Sequence, residues 1–399
     1  MEVCMRILAV VASLLAVAVA ACEGPDSSSE PGTSLPPSTA PTTATTTSFN
    51  MRLLAHLDLQ MLMSASPHQH ARSLHHDEPI EGLAALSGSG NWGYTSPDGR
   101  RFALTGTSAG LSIVEVTQPD RPVNLALIAG PESQWREVKT WGAYAYVTTE
   151  AVHGLDVVDL RNPDHPEKLR TWNEAFVSAH TLCVDDTRGL LFVNGTRNVA
   201  REATGMRVLD VRSDPTNPRE VGSFGDFYVH DCYVRGNYLF VSAIYDGFEA
   251  VLDISDPARI RELTRFFTGG RFTHNSWLTD DGRYVFTTDE RAGSPLEGWD
   301  LSDMRNPRKV SEYIGQSGTI PHNVMIDGNR MVVSHYTEGV HLLDVSDPTR
   351  LRVMGFYDTY DGNASGFAGN WGAYIFPSSD LIVASDLQGG LFVIQYTGR

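Results

Sequence analysis

One pattern recurs from residue 112 to the end of the chain: a β-branched run, an acidic residue, then a turn built on Asp or Asn with Pro. It reads SIVEVTQPDRP (112–122), LDVVDLRNPDHP (155–166), MRVLDVRSDPTNP (206–218), EAVLDISDPARI (249–260), EGWDLSDMRNP (297–307), VHLLDVSDPTRL (340–351) and LFVIQYTGR (391–399). The positions Glu115, Asp159, Asp210, Asp253, Asp300 and Asp344, with Gln395 last, are spaced 44, 51, 43, 47, 44 and 51 apart. A period of about 40–50 residues carrying several short strands is the mark of propeller blades. The Asp or Asn caps backbone amides and the Pro fixes φ, so each unit turns into another strand such as VNLALIAG or LRVMGFYD.

Upstream of each acidic strand lies a hairpin, such as WREVKTWGAYAYVTTE (135–150), HTLCVDDTRGLLFVNG (180–195) or HNSWLTDDGRYVFTTDE (274–290). Hairpin, acidic strand and outer strand make four strands per unit, and there are seven units. The last ends at its third strand. Arg52 to Asp58, RLLAHLD, reads as the missing fourth, which closes the ring and removes a free sheet edge. The expected fold is therefore all-β: one seven-bladed β-propeller over residues 50–399, closed by an N-terminal strand, with an eight-bladed ring as the rival.

Composition agrees. Thirty-six glycines and 21 prolines in 399 residues suit many short strands and turns. A formal charge of −17 excludes the concentrated positive field that nucleic acid requires. Residues 7–21 are an apolar run too short to span a bilayer comfortably but fitted to a secretion signal. It ends Val19-Ala20-Ala21-Cys22, which resembles a bacterial lipobox, so residues 1–21 read as a lipoprotein signal peptide and Cys22 as the lipidated N-terminus. Residues 22–49, rich in Ser, Thr and Pro, read as a disordered tether. The reading is an exported protein, lipid-anchored to the bacterial envelope at the outer membrane or cell surface, and a monomer. His68, His70, His75 and His76 fall in a polar stretch taken as a solvated crossing loop, or alternatively a metal-scavenging one.

GLSIVEVTQPDRP and GVHLLDVSDPTRL resemble LVIVD repeats. With NWGYTSPDGRRFALTG, FYVHDCYVRG, IPHNVMIDG and the late NWGAYIFPS, residues 50–399 resemble the choice-of-anchor B family, in which a common repeat body is joined to differing surface anchors. The resemblance implies a propeller and brings no catalytic residues with it.

Candidate chemistry sits on the first strand of the hairpin. His180, His230, His274 and His322 hold matching positions in four successive units, with Trp135 and Trp371 in the same slot of two others and Asn91 in the first. First strands line a propeller's channel, so these side chains should converge. Neutral imidazoles, with Asp231, Asn275 and Asn323 beside them, suit a divalent metal. Glu150, Asp289, His335 and Asp386, near the ends of the second strands, are further candidates for oxygen ligands or a base. The competing reading has each histidine bond a neighbouring blade's carbonyl and pin the ring. Cys183 and Cys232 stand three and two residues after their histidines, and alternation along a strand predicts that they face opposite ways and stay unbridged. The tryptophans read as blade core, or else as a sugar platform at the channel mouth.

No Walker A, CxxC or DxDxDG pattern is present. The expectation is a tethered, non-catalytic binding module for a protein or carbohydrate. A metal-dependent hydrolase or lactonase using the channel histidines, and a purely structural envelope protein, are the alternatives.

Overall fold

The computed structural model describes residues 38–39, 47–64, 86–316, 318–362 and 365–398. The leader with Cys22 and the histidines at 68–76 lie outside them. Seven sheets follow one another along the chain, each built on three or four consecutive antiparallel strands, with strands from before residue 58 added to the outer edges of the last three. Their innermost strands are Gly88–Thr95, Val138–Trp141, Leu182–Asp185, Asp231–Arg235, Thr273–Leu278, Val324–Asp327 and Asn370–Ile375. Each lies beside the innermost strand of the next sheet, and the last beside the first, so the sheets are the seven blades of a closed ring.

The third strands explain the repeat. Leu155–Asp159, Phe248–Asp253 and Val340–Asp344 are buried along their length up to the terminal Asp. A strand packed on both faces by neighbouring blades is mostly apolar, and this gives the β-branched run, which holds one buried polar residue in each case, Asp156, Glu249 and His341. The terminal Asp then caps the turn. Asp159, Asp210, Asp253, Asp300 and Asp344 each accept from the amide two residues on, at 2.8–2.9 Å. All seven pairs of third and fourth strands carry a register shift, which adds the local twist an outer blade edge needs.

Met51–Leu57 pairs antiparallel with the third strand of blade 7, Met51 against Tyr396 and Leu57 against Leu391. The ring is closed as the sequence predicts. Gly390, at φ +90°, permits the tight turn there, since a Cβ would stand 2.4 Å from the Leu57 carbonyl. Ser48–Phe49 adds a short strand outside blade 6, and Ser38–Thr39 one outside blade 5. The one described helix, Leu59–Met63, is capped by Asp58 and buries Leu59 and Leu62.

Candidate functional site

Each first strand opens at the same edge of its sheet, beside the loops that join second to third strands. At that edge a ring of side chains converges. Successive centroids are 4.4 Å apart for His180–His230, 4.4 Å for His230–His274, 4.1 Å for His274–His322 and 4.2 Å for His322–Trp371. Trp135 stacks on Trp371 at 4.3 Å. The four histidines singled out in the sequence are thus neighbours in space.

Blades 1 and 2 fill the position differently from the sequence reading. Thr148 Oγ1 donates to the carbonyl of His180 and Thr288 Oγ1 to that of His322, and Ser385 Oγ makes the same bond to Ser89. Ser89 Oγ in turn donates to the carbonyl of Arg136. Ser89 and Arg136 therefore hold the slot, not Asn91 and Trp135. Pairing gives the reason: Gly88 faces Thr107 as Asn370 faces Asp386, which matches Ser89 to Trp371. Asn91 instead donates to Val383 O, and Trp135 precedes the slot by one residue.

In His230 and His322 the two ring nitrogens have separate work, whereas the buried His274 Nδ1 has no hydrogen-bond partner. His230 Nδ1 lies 3.1 Å from the His274 carbonyl, and His322 Nδ1 2.5 Å from that of Trp371. A carbonyl can only accept, so Nδ1 carries the proton and Nε2 is left with a bare lone pair. The pinning anticipated for all four histidines is present in His230 and His322 only, and there it leaves a ligating nitrogen free on the same ring. Burial, then the neighbouring His180, holds the His230 imidazole well below its usual value; burial and His322 do the same to His274. Burial pushes His322 down to about 3. His180 differs. Its Nδ1 meets Glu150 at 2.7 Å, and this partner raises the imidazole against the opposing effect of burial.

The acid within the ring is Glu290, which the sequence reading passed over. Its Oε2 lies 3.8 Å from His274 Nε2 and its Oε1 3.5 Å from His322 Nε2. Tyr336 donates its hydroxyl to Oε1 at 2.5 Å. Burial lifts the Glu290 carboxyl to about 7. Glu150 and Glu290 stand alike, two residues beyond Thr148 and Thr288, the hydroxyls that hold the next blade's histidine carbonyl. That shared offset was the available signal.

The other predicted oxygen ligands point elsewhere. Asp289 spends its oxygens on Thr268 Oγ1 and the amides of Gly270 and Phe272, which ties down the loop before His274. Alternation along the strand turns Asp289 out and Glu290 in. Asp386 anchors Thr359, Gln388 and Gly389 in the same way. Asp231 is held by Asn275 Nδ2 and the Cys232 amide, and burial raises its carboxyl. His335 faces Glu338 and His341 in a separate buried cluster of blade 6.

Cys183 and Cys232 form a disulfide, contrary to the sequence expectation. They do stand on opposite faces of equivalent strands. Blades, however, stack face to face, so the forward face of one inner strand meets the backward face of the next. Opposite orientation is what brings them together, at a Cα–Cα distance of 5.8 Å. Asn194 Nδ2 joins Cys232 Sγ to Thr181 Oγ1, which donates to the His230 carbonyl.

The model of the LVIVD repeat matches residues 135–171, 198–226, 228–268 and 321–359, within blades 2, 3, 4 and 6. No curated protein matches the chain. Among solved structures, a provisional 6-phosphogluconolactonase of Bacteroides fragilis aligns with TM-score 0.53 at 11% identity, over 77% of this chain and 89% of that one. Its counterpart from Bacteroides uniformis gives 0.54 at 12%, over 75% and 88%. The periplasmic gluconolactonase of Pseudomonas aeruginosa gives 0.50 at 14%, over 69% and 86%. At such identities the likeness shows the fold alone. The chain carries LVIVD repeats on a seven-bladed β-propeller.

Proposed function

We propose that the protein is an interaction module of the bacterial envelope, exported, lipid-anchored through Cys22, and binding its partner on the face where the channel histidines lie. A single observation carries the reading. Among the described residues, the three most exposed large apolar side chains, Val199 (75%), Tyr245 (69%) and Phe367 (57%), all sit in loops on that one face, in blades 3, 4 and at the entry to blade 7. Val152 (51%) and Phe267 (47%) are exposed at the same edge of blades 2 and 4. Apolar groups gathered on one face around a channel mouth mark an interaction surface. Tyr245 lies 4.9 Å from Tyr228, and the Arg271 guanidinium covers the Phe267 ring at 4.0 Å, a platform suited to the flat face of a sugar or to an aromatic-rich protein surface. The buried Cys183–Cys232 disulfide supports an oxidising compartment, and so export.

The test is retention on isolated envelope material. Wild type should be captured, and a Val199→Glu/Tyr245→Glu/Phe367→Glu triple variant should be released; equal capture of both would remove the face from consideration. Intact-mass analysis of the membrane-extracted protein checks the anchor: the chain should begin at Cys22 and carry lipid, and Cys22→Ser should carry none.

One observation favours hydrolysis as a second reading. The Glu150–His180 pair is a carboxylate–imidazole couple at the channel mouth, with the Glu150 side chain 43% exposed. Turnover of a sugar lactone that disappears in Glu150→Gln would establish it; absence of turnover in the wild type would dismiss it.

A further inference from the structure

The geometry points to a zinc-class divalent metal site inside the channel, with His230, His274 and Glu290 as ligands and His322 closing the set. One ligand atom from each of His230, His274 and Glu290 lies within 4.8 Å of the other two. His230 has committed Nδ1 to the His274 carbonyl, so it offers Nε2. His322 has committed Nδ1 to the Trp371 carbonyl. Its Nε2 has no hydrogen-bond partner, in a residue 1% exposed, and faces Glu290 Oε1 at 3.5 Å.

This is the construction of a metal site from the second shell inward. A ligating histidine donates its remote N–H to a carbonyl, which fixes ring and tautomer, as His230 and His322 do here; the His274 Nδ1 is buried without a partner. A ligating carboxylate is held by a hydrogen bond of its own, here from Tyr336. Three imidazole nitrogens with one carboxylate oxygen match zinc and its transition-metal neighbours, not magnesium or calcium, which take oxygen ligands. The alternative for these atoms is poor. Several bare lone pairs would face a buried carboxylate, where an unpartnered acceptor costs about 1–3 kcal/mol. A cation satisfies them together. The ligands come from blades 4, 5 and 6, so the ion would bind those blades to one another. With the three imidazoles buried and the Glu290 side chain 10% exposed, the coordination is of the closed, structural type, not one that leaves a position for substrate.

The inference does not depend on which partner the outer face binds, and its test uses metal alone. The full-length protein, stripped with chelator and dialysed against zinc, should retain about one zinc per chain by elemental analysis. Cobalt substitution should give the intense visible d–d absorption of a four-coordinate site. Glu290→Gln preserves shape and the Tyr336 contact, and should weaken zinc binding by about 100-fold or more while circular dichroism stays unchanged. His274→Ala should abolish uptake. Less than about a tenth of an equivalent on the wild type, or unaltered affinity in Glu290→Gln, would overturn the site. Zinc uptake without envelope capture would sink the proposed function and leave this site standing.

Discussion

Blades 3 to 6 and blades 7, 1 and 2 offer the channel the same backbone position and fill it with opposite chemistry. In the first arc four imidazoles lie edge to edge, backed by Glu150 and Glu290. In the second the position passes from Trp371 to Ser89 to Arg136, and Trp135 folds over Trp371 to occupy the space the small Ser89 leaves. Arg136 turns away from the channel and is spent on the Thr107 and Pro131 carbonyls. In both arcs a side-chain donor from one blade reaches a slot carbonyl of the next, so the pinning is general to the ring. What is local is the free Nε2 on the histidine arc. The fold sets the position, and four residue choices decide whether it is filler or ligand.

The sharpest test of this contrast is Trp371→Ala. Trp371 is 7% exposed and joins the two arcs, and its removal should cost about 4 kcal/mol in urea unfolding. A loss below about 1 kcal/mol would mean the aromatic arc is not held by its stack. Next comes the disulfide, confined to the histidine arc. Replacing both cysteines with alanine frees a link between residues 49 apart and should cost about 3 kcal/mol, read as a lower denaturation midpoint that reducing agent reproduces in the wild type.

Acid separates the arcs more finely. His322 is held down at about 3 in the fold against a usual 6.5, so the unfolded chain takes its proton first. The stability contributed is fully present above pH 6.5 and is lost as pH falls from there toward 3. Between pH 6.5 and 5 the metal-free wild type should lose about 2 kcal/mol more than His322→Gln, which can still donate to Trp371 but does not titrate. Equal slopes would show that the ring nitrogen is solvated in the folded state. The smallest effect is Trp135→Phe, which keeps a ring on Trp371 and should cost about 0.5–1 kcal/mol without touching the acid slope.

Much of this was legible in the residues. The run-then-Asp repeat encodes a strand buried on both faces and capped at one end, and it fixed the blade count and the closing strand. The histidines were legible because each begins a hairpin of its own. Glu290 was not, because its neighbour Asp289 looks equally suitable and only strand alternation separates them. Ser89 was hidden by the shifted pairing in blade 1, which motif matching cannot see, and Arg136 by the tryptophan one residue before it. The Cys183–Cys232 bond was missed for a different reason. Facing within one strand was judged correctly, but which faces meet is decided between blades.

The closing strand has a consequence for the order in which the molecule can be finished. Arg52 bonds Gln395, 343 positions along the chain. The closing strand must therefore wait, unpaired on its edge, until a strand 343 residues further along has been made. Blades 1 to 6 hold all their own strands and can form as they emerge, whereas blade 7 joins strands that precede and follow all the others of the ring. Ring closure is thus the contact of longest range, with the slow entropy-limited search such contacts entail. A chain cut short by even its final strand would retain six complete blades and an open seam.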